Sequence, residues 1–139
     1  MRWLLALAVT LTLVPTASAG VPNACTLLTP AQVVSALGGK SSSQRGFATR
    51  GAATCIWTAA GNVMLNLQLL QMTKADFKQG LADEQGAQRL RGIGELAYVL
   101  GGGRALTVWH RGITITVAYN TQARLQAAKR VATAAVARL

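Results

Sequence analysis

The chain has 139 residues, 51% hydrophobic and 5% aromatic, with 14 Lys and Arg against 4 Asp and Glu, a formal net charge of +10. This is one domain's worth of chain, enough for one core with little margin, so a single domain is expected. One histidine and two cysteines are too few for a conventional metal cluster of three or four such ligands, so no metal and no cofactor are expected.

Met1–Ala19 reads as a secretory signal peptide. Arg2 supplies the positive start, Trp3–Val14 the apolar run, and Pro15 the break before the small-residue end Ala17-Ser18-Ala19. Cleavage is expected after Ala19, which leaves one mature domain, 20–139, secreted or periplasmic. The apolar run is shorter than the roughly 20 residues a spanning helix needs, so no transmembrane span is expected in the mature chain. Cys25 follows Pro22-Asn23-Ala24 and lies downstream of the cleavage site, which does not fit a lipid-modified cysteine. In an exported chain with an even cysteine count, Cys25 and Cys55 are best read as a structural disulfide. Its loop closure contributes roughly 3–4 kcal/mol in the chain-entropy model. A free redox thiol or a metal site is the competing reading, without a CxxC motif to support it.

A short helix is expected within Cys25–Gly39. Thr29 is the N-cap, Pro30 occupies the first helical position, and Gln32 completes a capping box. Leu28 and Val33 form a hydrophobic staple, and Gly38-Gly39 ends the helix. Lys40–Ala52 is rich in Ser and Gly without periodicity and reads as a mobile loop, with Phe47 its only anchor. Thr54–Thr58 and Val63–Leu70 read as a hairpin around Ala60-Gly61-Asn62. Thr73 opens a second helix with Asp76 near its positive end. Gly92-Ile93-Gly94 is a tight bend. Leu96–Leu100, Arg104–Trp109 and Ile113–Tyr119 read as three strands. Asn120 or Thr121 caps a last helix to Leu139, with Leu125, Ala128, Ala132, Ala135 and Leu139 on one stripe. The expected fold is α+β in the order α-ββ-α-βββ-α: an antiparallel sheet of about five strands with helices on one face.

Charge is unevenly placed. Without Arg2 the mature chain keeps thirteen basic and four acidic residues, a net +9. Asp76, Asp83, Glu84 and Glu95 are the only acids, so 20–75 and 96–139 are purely basic. That is a footprint for an anionic partner, with solubility of a secreted domain the competing reading.

Three segments carry a resemblance: Cys25-Thr26-Leu27-Leu28-Thr29-Pro30-Ala31-Gln32-Val33, Cys55-Ile56-Trp57, and Gly92-Ile93-Gly94-Glu95-Leu96-Ala97. With them the chain resembles small bacterial cell-envelope proteins of unknown function, many of them actinobacterial lipoproteins. These share C-x-L-L-T-P-x-E-V, C-x-W and G-[IL]-G-[DE]-x-A, closed by a helix. Gln32 stands in place of the usual Glu. The absence of a lipobox departs from many members and puts membrane anchoring in doubt. The resemblance implies secretion, a Cys25–Cys55 bridge and an α+β domain, and supplies no catalytic residues.

Other patterns lack their chemistry. Gly92-x-Gly94-x-x-Ala97 has the letters of a dinucleotide fingerprint, but a helix precedes it and a strand follows. Gly39-Lys40-Ser41 ends like a phosphate loop, yet Val34 stands at the first glycine position. His110, the single histidine, reads as an exposed turn residue beside Arg111, with no nucleophile and orienting acid assigned to it. Of the tryptophans, Trp57 reads as core and Trp109, beside a basic turn, as the better ligand platform.

The leading expectation is a non-catalytic secreted envelope domain that binds an anionic surface or polymer, or an acidic protein. Lys40, Arg45 and Arg50 form one candidate contact region; Arg104, Arg111, Lys129 and Arg130, with Trp109, form another. Peripheral membrane contact fits the same charge, and no specific nucleic acid is expected. The rivals are an inhibitor or immunity-type protein that blocks a secreted enzyme, a small apolar-ligand carrier with a cavity between sheet and terminal helix, and a hydrolase that assembles His110 with an acid.

Overall fold

The computed structural model of the chain describes residues 20–120 and 124–139. The expected signal peptide, 1–19, and the cap position Thr121 lie outside the described residues.

Ala24–Thr26 forms one 3₁₀ turn, and α1 runs over Pro30–Ala36. Both halves of the expected capping box are made: the Thr29 hydroxyl accepts from the Gln32 N–H at 3.2 Å, and the Gln32 side chain accepts from the Thr29 N–H at 2.8 Å. The strands are β1 Ser42–Ala48, β2 Ala52–Ala59, β3 Val63–Gln71, β4 Gln88–Leu90, β5 Leu96–Leu100, β6 Ala105–His110 and β7 Ile113–Tyr119. Helix α2, Lys74–Ala82, follows β3; helix α3, Leu125–Val136, ends the fold. All strands join one antiparallel sheet in the order β1-β2-β3-β7-β6-β5-β4.

The α+β class with an antiparallel sheet is as expected, but the sheet has seven strands rather than about five, and the order is α-βββ-α-ββββ-α. The segment 42–48, expected to be a mobile loop, is the outermost strand. All seven of its residues are exposed, so it lacks the apolar alternation that marks a strand with one face in the core. Strand β4 is three residues long and has no period of its own.

The expectation of helices on one face is also corrected. Leu65, Leu67 and Leu69 of β3, Leu106 and Val108 of β6, and Ile115 and Val117 of β7 are fully buried in one core with Val33, Ala36, Ala128, Val131, Ala132 and Ala135 of α1 and α3. Each such Leu, Ile or Val side chain contributes about 1.5–3 kcal/mol relative to exposure. Helix α2 lies on the opposite face, where Phe77 packs on Tyr98 with ring centroids 6.1 Å apart. Asn120 does not cap α3: its side chain accepts from the Met64 N–H at 2.7 Å and donates to the Asn62 carbonyl at 2.6 Å, so it ties the end of β7 to the β2–β3 turn.

Cys25 and Cys55 are bonded, with Cα atoms 5.0 Å apart. The bridge lies under β1. Gly46 pairs with Cys55, and a Cβ built on Gly46 would sit 2.9 Å from the Cys25 sulfur. Only glycine lets β1 lie this close. Trp57, 3% exposed, fills the neighbouring position and donates its indole N–H to the Gln44 side chain at 3.2 Å.

Replacing both cysteines by alanine is expected to cost about 3 kcal/mol. Gly46→Ala is expected to cost about 1–3 kcal/mol in the bridged chain and far less without the bridge, because the sulfur it meets is gone. Urea unfolding of the four combinations measures the coupling. Strictly additive costs would contradict the contact.

Candidate functional site

The antiparallel register carries one row of side chains across the second sheet face: Arg89, Tyr98, Thr107, Thr116, Gln68, Thr54 and Phe47. Helix α2 shields the β5–β6 end of this face. Beneath it lies a cleft of about 200 Å³ lined by Leu70, Met72, Phe77, Leu81, Thr114 and Thr116, among others. Toward β1 the face opens to solvent. Phe47 is 50% exposed, Leu70 36% exposed, and Gln68 is exposed as well. The Arg45 guanidinium lies 5.1 Å from the centre of the Phe47 ring, one cation stacked on one exposed aromatic.

Beyond β1 the sheet ends. The Thr49 N–H donates to the Ala52 carbonyl at 2.8 Å, which sets the alternation of the β1–β2 ladder. Ser43, Arg45 and Phe47 therefore bond inward to β2. Ser42, Gln44, Gly46 and Ala48 turn their backbone N–H and C=O groups outward. Among the described residues no backbone bond reaches these outward groups.

None of the acids is on β1, and Glu84 lines the α2 cleft with Gln68 and Leu70. Asp76 is on α2, Asp83 and Glu84 follow it, and Glu95 precedes β5. Strands β1–β3, β6 and β7 and helices α1 and α3 carry none. Lys40, Arg45 and Arg50 are all exposed, one at each end of β1 and one at its centre. At about 3.4 Å per residue they form a stripe along the strand rather than a cluster.

The second expected contact region is not brought together. Arg104 and Arg111 flank opposite ends of β6, while Lys129 and Arg130 ride on α3 over the other sheet face. Arg130 lines a groove between α1 and α3. Trp109 is half-buried; its indole N–H donates to the Met72 carbonyl at 2.8 Å, and the Lys74 ammonium sits 5.5 Å from its ring. The ring thus braces β6 against the start of α2.

His110 is not an exposed turn residue. It ends β6, half-buried, and its Nδ1 is buried with no hydrogen-bond partner among the described residues. Glu95, the acid nearest in the fold, accepts from the Arg111 N–H at 2.9 Å, where Arg111 holds a positive φ of 48°. Its carboxylate therefore supports the β6–β7 turn.

Sequence reasoning passed over Arg124. Its guanidinium lies 5.8 Å from the Tyr119 ring centre, and the Tyr119 hydroxyl donates to the Ala36 carbonyl at 3.1 Å. Nothing in the sequence around Arg124 sets it apart from the other cations.

No family model, curated protein or solved structure matches the chain.

Burial pushes the Tyr119 hydroxyl above its ordinary value of 10.0, against a smaller downward pull from Arg124 and Arg130. The folded state then holds this proton longer than the unfolded chain does. Its contribution to stability is complete below about pH 10 and is lost as pH rises toward the folded value. Tyr119→Phe is expected to be less stable at neutral pH, having lost the bond to Ala36. The gap to the parent should stay constant up to about pH 9 and narrow as pH rises past about 10. Urea unfolding from about pH 8 to about pH 11 checks it, and a gap constant throughout would contradict it.

Proposed function

We propose that this is an exported, non-catalytic domain that binds an anionic partner of the cell envelope through its acid-free edge, with β1 at the centre of the contact. The observation that carries the reading is the separation of charge from structure. The outermost strand buries none of its seven residues in the core, and Lys40, Arg45 and Arg50 stand exposed along it. The four acids gather at α2 and the bend before β5. A surface of one sign raises the local concentration of oppositely charged partners, and salt screens it with a Debye length of about 8–10 Å. Export is supported by the Cys25–Cys55 bridge, and no described helix is long and apolar enough to cross a membrane.

A second reading, a carrier of a small apolar ligand, has one observation in its favour: the cleft under α2 with its apolar walls Leu70, Met72, Phe77 and Leu81. Between sheet and terminal helix, where this reading placed its cavity, Ala128, Val131, Ala132 and Ala135 of α3 pack directly into the core. This reading predicts a co-purifying lipid lost on closing the cleft with Gly80→Leu.

For the leading reading, binding to acidic polymers or anionic vesicles should weaken steeply from low to physiological salt. The triple variant Lys40→Gln, Arg45→Gln, Arg50→Gln should bind several-fold more weakly with unchanged stability. The control Lys78→Gln, Arg89→Gln, Arg91→Gln removes the same charge beside Asp76, Asp83 and Glu84 and should lose less. Equal losses would leave only net charge, and no binding by the parent at low salt would remove the proposal. One tight protein partner retained at high salt would favour an inhibitor.

A further inference from the structure

The free edge of β1 narrows the kind of partner. We infer that β1 captures an extended acidic segment of another protein, which adds to the sheet as an eighth, antiparallel strand. This rests on the anionic-partner reading above and specifies what meets the edge.

Four features of the strand support it. First, its outward N–H and C=O groups, at Ser42, Gln44, Gly46 and Ala48, have no described backbone partner. An unpaired strand edge of this kind is a template for strand addition. Second, β1 contains no proline and no inward bulge, and it keeps an unbroken one-to-one register with β2 from Ser42 to Ala48. An added strand can therefore follow its whole length. Third, the bridge under Gly46 and the indole bond to Gln44 hold the strand from below, so the edge is in place before a partner arrives. Fourth, the side chains on the open face are specific. Arg45 and Phe47 stand side by side, and Lys40 and Arg50 flank the ends.

The charge at the centre selects between a foreign strand and a second copy of this chain. In a two-fold antiparallel pair of β1 strands, the full-length register places Arg45 directly opposite the other copy's Arg45. Arg45 bonds inward to β2, so this meeting falls at the non-hydrogen-bonded position, where opposed residues are closest. Like charges opposed there are destabilising. A slip that separates the arginines leaves only part of the strand paired. An acidic side chain in the same place gains where a second arginine loses. Phe47 asks for an apolar neighbour on the same face. In an antiparallel partner that neighbour comes two residues before the acid, so the segment reads apolar-x-acid, with further acids toward both ends to meet Lys40 and Arg50.

A short synthetic peptide with this pattern tests the inference against the full mature chain. Its partner form carries N-methyl groups on alternate residues, on the amides that would bond the edge; these remove main-chain hydrogen bonds and keep every charge. The unmodified peptide is expected to bind, to slow amide exchange at Gln44 and Gly46, and to lose about tenfold or more in affinity on N-methylation. Arg45→Glu should weaken it by about tenfold, and replacing the central acid of the peptide by Lys should restore binding to that variant. Equal binding of both peptide forms would overturn strand addition while leaving the anionic-partner reading intact. Binding to anionic phosphatidylglycerol vesicles but to neither peptide would assign the surface to a membrane and overturn the inference. Dimers that protect Gln44 and Gly46 without peptide would make a second copy the occupant and overturn it too. Binding to none of these at low salt would remove both proposals.

Discussion

The close approach of β1 to the Cys25–Cys55 bridge is the constraint on which the exposed half of this molecule depends. A strand normally stays on a sheet because one of its faces is buried. Strand β1 has no buried residue, so its place rests on the ladder to β2 and on what lies under it. Gly46 supplies the space, Cys55 sits opposite on β2, and Cys25 reaches in from the 3₁₀ turn. The result is a fully exposed edge that is nevertheless fixed, with its cations presented in order along it. The same bridge joins the first turn of the domain to the sheet, and Leu27 and Leu28 beside it enter the core that α1 and α3 complete.

The segments Cys25–Val33, Cys55–Trp57 and Gly92–Ala97 all have architectural work in this fold. The first builds the bridge and the cap of α1 and sends Leu28 and Val33 into the core. The second places Cys55 and the buried Trp57 on β2. The third is a bend. A Cβ on Gly94 would lie 2.5 Å from Val108 and 3.1 Å from the Trp109 carbonyl, and Glu95 then clamps the Arg111 turn. These residues describe how the chain folds. The binding proposals rest on other positions, Lys40, Arg45, Phe47 and Arg50, where the sequence shows only charge and one aromatic. Residues that fix a scaffold and residues that meet a partner are here almost disjoint, as expected when a surface works by exposure.

Legibility in the sequence followed burial. The alternation Val63, Leu65, Leu67, Leu69 marks β3 because one face is in the core, and Thr29 with Gln32 marks α1 because cap chemistry is local. Strand β1 was invisible for the opposite reason: its sequence Ser-Ser-Gln-Arg-Gly-Phe-Ala has no apolar face to reveal. The side of the sheet that α2 covers was equally hidden, since it is decided by Phe77 meeting Tyr98 across a long sequence gap. At the candidate site the cations were legible singly. Their arrangement was not: the segment around Lys40, Arg45 and Arg50 holds a strand, and Arg104, Arg111, Lys129 and Arg130 are divided among the two ends of β6 and helix α3.

Residue-resolved amide exchange of the oxidised and the reduced chain tests the central claim, that β1 is a fixed strand with a free outer edge held by the bridge. In the oxidised chain Arg45 and Phe47 should be protected while Gln44 and Gly46 exchange freely. Reduction should release protection along β1 and leave the Leu65, Leu67 and Val117 amides at the sheet centre protected longer. Uniformly fast exchange along β1 in the oxidised chain, or protection there that reduction does not change, would contradict it.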